Sequence, residues 1–354
     1  MAVAALALAA AASPAAPPSL RQVVREAGFE GVAIAGGGAT PSTVIATGLA
    51  APGVPNRATA TWRWASVTKQ ITAVLVLQEV AAGRLALDEP ITRAWPDWPQ
   101  VFADEVTIRE LLQHTSGIAD PNEPDPAQPA ALPAFYTPAN GAGTMQYEAT
   151  HFCAEHPLSR PGAGFHYSNC DYIVLGALLE RVTGKPFAAL VQERIARPLG
   201  IRIGLFRPGV PAAAHVGGRD RHGRPDVIGD LGVYGAAGSA YGSPLALYAF
   251  DRALLEHRLL PPAVTRQMWT GDPRLGAAAL GQWAFEAPLA GCAAPVSIVE
   301  RRGQIGGVQV RNYILPAGGR ALVLFTAREA FDFGEVWQGR GFAYRALSAV
   351  ACAA

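Results

Sequence analysis

The apolar positions along the chain change their period twice. From Leu20 to Phe29, "LRQVVREAGF" repeats at helical spacing, and "GVAIAGGG" and "STVIATGLA" then read as two short strands joined by a Gly-rich turn. The apolar run Ile71–Leu77 predicts a helix from Ser66 to about Ala82, stopped by Gly83. "VTIRELLQHTSGI" (106–118) predicts another, with Gly117 placed to cap its end. Residues 119–165 are irregular and rich in Pro, Gly and Ala apart from a helical patch at "MQYEATHFCAEH". So long an irregular segment is usually functional surface. Helical periodicity returns over 170–201, yields to a Gly-rich stretch over roughly 203–244, and resumes in "PLALYAFDRALLEH". "PVSIVERRGQ", "GVQVRNYILP" and "RALVLFTA" then read as three strands separated by "GQIGG" and "AGGR" turns, before a final helix near 335–351.

Strands, a helical middle and strands again predict an α/β (α+β) sandwich. Its antiparallel sheet combines N- and C-terminal strands flanked by helices, and a mostly helical region, about 70–290, is inserted between them. The 354 residues, 50% hydrophobic and 16% charged, suffice for one large domain or two interleaved ones. A net charge of +1 without any Lys/Arg block argues against nucleic acid as partner. The opening "MAVAALALAAAASPAAPPS" resembles a secretory leader over residues 1–18, cleaved after Ala12 or Ala15, although the usual positive start is missing. The domain proper would then run over 19–354. No later apolar run approaches 18 residues, so no membrane span is expected.

Export changes the reading of the four cysteines. None forms a C-x-x-C pair, so no zinc site is expected, and two disulfides are: Cys153–Cys170, closing a short loop, and Cys292–Cys352, tying the C-terminus to a strand. The expected location is periplasmic or secreted.

The sharpest chemical signal is "SVTK", in which Ser66 precedes Lys69 at the polar edge of the buried helix. Residues i and i+3 share a helix face, so hydroxyl and amine come within hydrogen-bonding range. Burial and the positive end of the helix dipole both disfavour the ammonium, and the dipole also favours a developing serine oxyanion. Taken alone, the spacing is better explained by an N-cap serine with a snorkelling lysine. Two further stretches bear on it. Tyr167-Ser168-Asn169 stands directly before a helix, where the phenol could share proton transfer and Asn169 could bond a substrate amide. Arg301-Arg302-Gly303 ends a strand, where the Gln304 N–H could serve an oxyanion and Arg301 a carboxylate.

Together and in this order, the three stretches resemble the serine β-lactamase and penicillin-binding-protein superfamily, nearest its class C β-lactamase, esterase, D-aminopeptidase and DD-peptidase branch. "LLQHTSGI" and "GAAGSAYGSPLALYAF" are similar to further stretches of that group, the latter without its usual serine-threonine and aspartate. The resemblance covers about 20–350. It implies Ser66 as acylated nucleophile, Lys69 as its proton partner and Tyr167 as general base and acid. It further implies Asn169, Arg301 and Gly303 as substrate-binding residues, backbone N–H groups of Ser66 and Gln304 as oxyanion donors, and no cofactor. The third motif departs from the usual Lys-Thr-Gly or His-x-Gly, and the bulk of Arg302 shifts the expectation from β-lactam hydrolysis toward an esterase or peptidase. For an esterase, Arg301 would be dispensable. His114 reads as structural. The expected partner is a small-molecule or peptide substrate, with or without a carboxylate, and the chain is expected to be a monomer. The competing class is a non-catalytic binder that kept the fold.

Overall fold

The computed structural model describes residues 17–122, 144–155, 157–210 and 216–352. The leader's cleavage positions and residues 123–143 of the long irregular segment lie outside the described residues.

Seven strands form one antiparallel sheet: β1 (Gly31–Gly36), β2 (Thr43–Thr47), β3 (Ala278–Ala279), β4 (Gln282–Ala287), β5 (Val296–Ile305), β6 (Val308–Leu315) and β7 (Arg320–Thr326). Their order is β2-β1-β7-β6-β5-β4-β3, so the N-terminal hairpin joins the C-terminal strands through β1 and β7, with Ile34 opposite Val323. Successive side chains on a strand face opposite ways, and here both faces are covered. Val32, Ile34, Val299, Val310, Val323 and Phe325 join the main core beneath the helical region. Ala33, Ala35, Ile298, Tyr313, Leu322 and Leu324 pack in a second core with residues of α1 (Leu20–Glu26) and of the final helix Gly341–Ala351.

The helical region is centred on α2 (Thr68–Ala81) and the helix Asn169–Thr183, both buried nearly all round. Three sequence expectations are corrected. The α-helix does not begin at Ser66: Ala65–Val67 form a 3₁₀ turn, and Ala65 adopts a left-handed backbone with φ 48°. The 106–118 element is a short helix, Ile108–Gln113, opened by a Thr107/Glu110 capping box. It ends at left-handed His114, not Gly117. Gly117 serves a chain crossing instead, for a Cβ there would lie 2.3 Å from the Ser159 carbonyl oxygen. Finally, β3 and β4 occupy part of the span expected to be helical.

Both expected disulfides are formed. Cys153–Cys170 ties the short helix Phe152–Glu155 to the first turn of Asn169–Thr183, and Cys292–Cys352 ties the loop after β4 to the end of the final helix. No helix among the described residues is long and apolar enough to cross a membrane.

Candidate active site

Ser66 lies in the 3₁₀ turn that leads into α2, and the next helical turn brings Lys69 Nζ to 3.2 Å from its Oγ. The approach is fixed from below by the segment 235–242. Thr72 donates to the Ala236 carbonyl (2.7 Å), Thr68 accepts from the Ala240 N–H (3.0 Å), and Lys69 donates to the Ala237 carbonyl (2.8 Å). Lys69 is fully buried and donates also to Asn169 Oδ1 at 2.7 Å. Burial draws its pKa below the usual ammonium value. The Arg301 guanidinium adds to that fall, while Tyr167 and Asp120 oppose it without cancelling it.

Tyr167 comes from the chain just before the helix Asn169–Thr183, whose N-cap is Ser168. Its Oη lies 2.7 Å from Ser66 Oγ and accepts from Arg301 Nη2 at 2.8 Å. Burial alone would raise the phenol pKa. The Arg301 and Lys69 charges and the hydrogen bonds from Lys69 and Ser66 outweigh it, and the group sits below the ordinary phenol value. Ser66 Oγ is thus flanked by an amine and a phenol, each with its pKa drawn below the ordinary value.

Asn169, expected to meet substrate, also makes hydrogen bonds within the protein. Its Oδ1 accepts from Lys69, and its Nδ2 and backbone N–H both donate to the Asp120 carboxylate, at 3.1 and 3.0 Å to Oδ2. It therefore fixes where the lysine amine points. Asp120 escapes sequence reasoning because it stands 49 residues from its partner in "GIAD", without a local pattern. Behind it, His114 Nδ1 lies 2.8 Å from Asp171 Oδ2 and accepts from the Ser168 N–H at 3.3 Å. Burial lowers the His114 pKa well below the usual imidazole value and raises that of Asp171. The contacts of His114 are with Asp171 and the Ser168 backbone, behind Tyr167 and Asn169.

The third motif needs the largest revision. Arg301 is 1% exposed, and its Nε donates to the Ser66 carbonyl oxygen (2.9 Å) while Nη2 holds Tyr167. Its guanidinium carbon lies 5.2 Å from the Trp283 ring centroid. Its guanidinium thus hydrogen-bonds the catalytic cluster itself. Arg302 points to the opposite face of the sheet, where Glu300 and Glu335 pair with it, so its bulk never reaches the serine. Gly303 was expected to let a substrate backbone approach. The protein's own chain also comes close there, since a Cβ would lie 2.4 Å from the Trp64 carbonyl oxygen and 3.4 Å from Ala65 Cβ. Gly303→Ala is therefore expected to cost about 1–3 kcal/mol through overpacking, read as a lowered urea midpoint at unchanged slope. An unchanged midpoint would show that the two segments part freely.

β4 pairs with β5 only as far as Glu300, leaving the edge from Arg301 onward to the 3₁₀ turn. N–H groups of alternate residues point to opposite edges of an antiparallel ladder. Counted back from the two-residue Gly306-Gly307 turn, the Gln304 N–H faces that unpaired edge, beside Ser66.

The Beta-lactamase family model matches residues 20–341. Esterase EstB of Burkholderia gladioli is 39% identical over 171 residues, 42% of this chain and 39% of EstB. A putative D-alanyl-D-alanine carboxypeptidase of Escherichia coli K12 is 33% identical over 153 residues, 41% of this chain and 33% of that protein. The chain thus matches only a third to two-fifths of these relatives' lengths. The D-amino acid amidase of Ochrobactrum anthropi SV3, complexed with D-phenylalanine, superposes with a TM-score of 0.75 over 94% of this chain and 99% of the amidase. At 23% identity that likeness is one of fold.

Proposed function

The chain belongs to the Beta-lactamase family, and from that premise we propose that it is a serine hydrolase forming an acyl-enzyme at Ser66. The observation that carries the reading is the position of Ser66 Oγ between Lys69 Nζ and Tyr167 Oη, 3.2 and 2.7 Å away. Deprotonated Tyr167 takes the hydroxyl proton as Ser66 attacks a carbonyl, with Lys69 holding the negative charge of the phenolate. Backbone N–H groups of Ser66 and Gln304 receive the oxyanion. The phenol then returns the proton to the leaving group; in the second half-reaction the phenolate takes one from the water that attacks the acyl carbonyl and delivers it to Ser66 Oγ as that oxygen leaves.

The substrate we favour is a small ester or a D-amino-acyl amide or peptide. Arg301, the cation that a carboxylate-bearing β-lactam would require on this strand, is committed to Tyr167 and Ser66. The relatives named esterase and D-alanyl-D-alanine carboxypeptidase support the same choice. Two disulfides suit an oxidising compartment, so we place the enzyme in the periplasm or outside the cell, acting as a monomer. Intact-protein mass spectrometry after separate exposure to a fluorophosphonate, a penicillin and a chromogenic short-chain ester tests the reading, with Ser66→Ala as control. The expected result is a phosphonyl adduct on Ser66, absent from the control, with turnover in the ester tube. Folded protein that gives no adduct in any tube would overturn it in favour of a non-catalytic binder.

A further inference from the structure

Outside the catalytic cluster, one buried carboxylate joins the two walls that would bind the oxyanion. Asp226 Oδ2 accepts from Arg63 Nη2 at 2.6 Å and from the Gly307 N–H at 2.9 Å, and Oδ1 accepts from the Gly218 N–H at 3.1 Å. Arg63 stands three residues before Ser66, and Gly307 stands three residues after Gln304. Both side chains of the pair are nearly buried, at 2% and 9% exposure. We propose that Asp226 is a positioning residue that sets the width of the oxyanion site, by clamping the turn beyond Gln304 to the segment that carries Ser66. This rests on the serine hydrolase reading and deepens it.

The surroundings are shaped for this one carboxylate. A Cβ on either Gly218 or Gly306 would lie 2.3 Å from Asp226 Oδ2, and one on Gly307 would lie 2.2 Å from the Arg219 carbonyl oxygen. Two glycines facing the carboxylate, and a third facing the Arg219 backbone, show how closely the chains approach there. Nor is the arm bearing Asp226 free to drift. Its base is pinned to the chain after β7 by Arg219 N–H to Ala327 oxygen (2.7 Å) and Glu329 N–H to Arg219 oxygen (3.0 Å), and to the approach to Ser66 by Val216 N–H to Thr61 oxygen (3.0 Å). On the other wall, Trp62–Arg63 pair with Tyr241–Gly242 in a small three-stranded sheet.

Oxyanion donors act only when held about 2.7–3.1 Å from where the charged oxygen will sit. A clamp three residues from each donor governs that separation directly, and its loss should weaken transition-state binding more than ground-state binding. An Asn at 226 keeps the volume but turns an N–H group toward donors, so it breaks the clamp at one corner.

The test compares wild type, Asp226→Asn and the double variant Arg63→Met/Asp226→Asn, which removes the guanidinium otherwise left unpaired. Exhaustive fluorophosphonate labelling counts competent serines, so kcat per labelled serine is insensitive to any unfolded fraction. KM for the ester and Ki for a boronic acid, whose tetrahedral adduct places an oxygen in the oxyanion site, complete the set. Both variants are expected to lose about 10- to 100-fold in kcat per competent serine, short of deleting a donor outright. The boronic acid Ki should rise by a similar factor while KM stays within about threefold. A lowered melting temperature with unchanged kcat per serine and unchanged Ki would overturn the proposal and leave a purely structural ion pair. A loss confined to KM would overturn it as well. If wild type itself takes no label, the hydrolase reading falls and the clamp with it, an outcome distinct from both.

Discussion

Lys69→Met is expected to lower kcat/KM for the ester about 10³-fold, within the range that positioned proton-transfer groups supply, while the protein still folds. Methionine fills much of the same volume, and a buried ammonium is costly to keep, so losing it relieves a desolvation penalty. Against that, the Asn169 and Ala237 oxygens lose the donor they share. An unsatisfied buried acceptor costs about 1–3 kcal/mol, so a modest fall in stability accompanies the activity loss without explaining it. The pH profile carries the specific signature. Burial raises the Tyr167 pKa, and the charges of Arg301 and Lys69 bring it below the ordinary phenol value. Removing Lys69 leaves burial less opposed, so the Tyr167 pKa rises and the acidic limb of kcat/KM moves to higher pH. In wild type that limb belongs to the Lys69–Tyr167 pair jointly. Activity within threefold of wild type, with an unmoved limb, would show that the serine is activated by Tyr167 alone.

How much of this was legible in the sequence differs by kind of interaction. The Ser66/Lys69 contact is local and survives the substitution of a 3₁₀ turn for the expected helical start, because i and i+3 still share a face. The sheet of N- and C-terminal strands and both cysteine pairings were also readable, from period and from spacing. The strand carrying Arg301-Arg302-Gly303 was visible, yet alternation alone does not say which of two neighbours faces the serine. That required the register that sets Arg301 opposite Asn312 and Arg302 opposite Arg311. Asp120 and Asp226 left no pattern. Each works through a partner 49 or 163 residues away, in a segment that reads only as polar loop. The left-handed backbones of Ala65 and His114 were likewise hidden, since such backbones are uncommon away from glycine, and alanine carries no cue for one.

Arg301→Ala should lower kcat for an ester that bears no carboxylate about 10²-fold, roughly 2.7 kcal/mol of transition-state stabilisation. An esterase using Arg301 only as a substrate anchor would be indifferent to this change, which was the expectation from sequence. The hydrogen bonds of the guanidinium lead us to expect the opposite. Both documented hydrogen bonds of the guanidinium go to the machinery, Nε to the Ser66 carbonyl and Nη2 to Tyr167 Oη. Truncation strips Tyr167 of its one guanidinium donor and removes a charge that lowers its pKa, so the acidic limb again moves to higher pH. It also removes the side chain against Trp283. Some stability is lost with it, and kcat must be normalised to fluorophosphonate-labelled serines. Arg301→Lys restores a positive charge near Tyr167 but not the planar fork that reaches both oxygens, so it should recover the pH profile more completely than kcat. A substrate-anchoring arginine would fail differently. Its loss would appear in KM, only for substrates carrying a carboxylate, and with the limb unmoved. Measuring kcat, KM and the limb on a matched pair of esters, one with a carboxylate and one without, separates the two roles in a single variant.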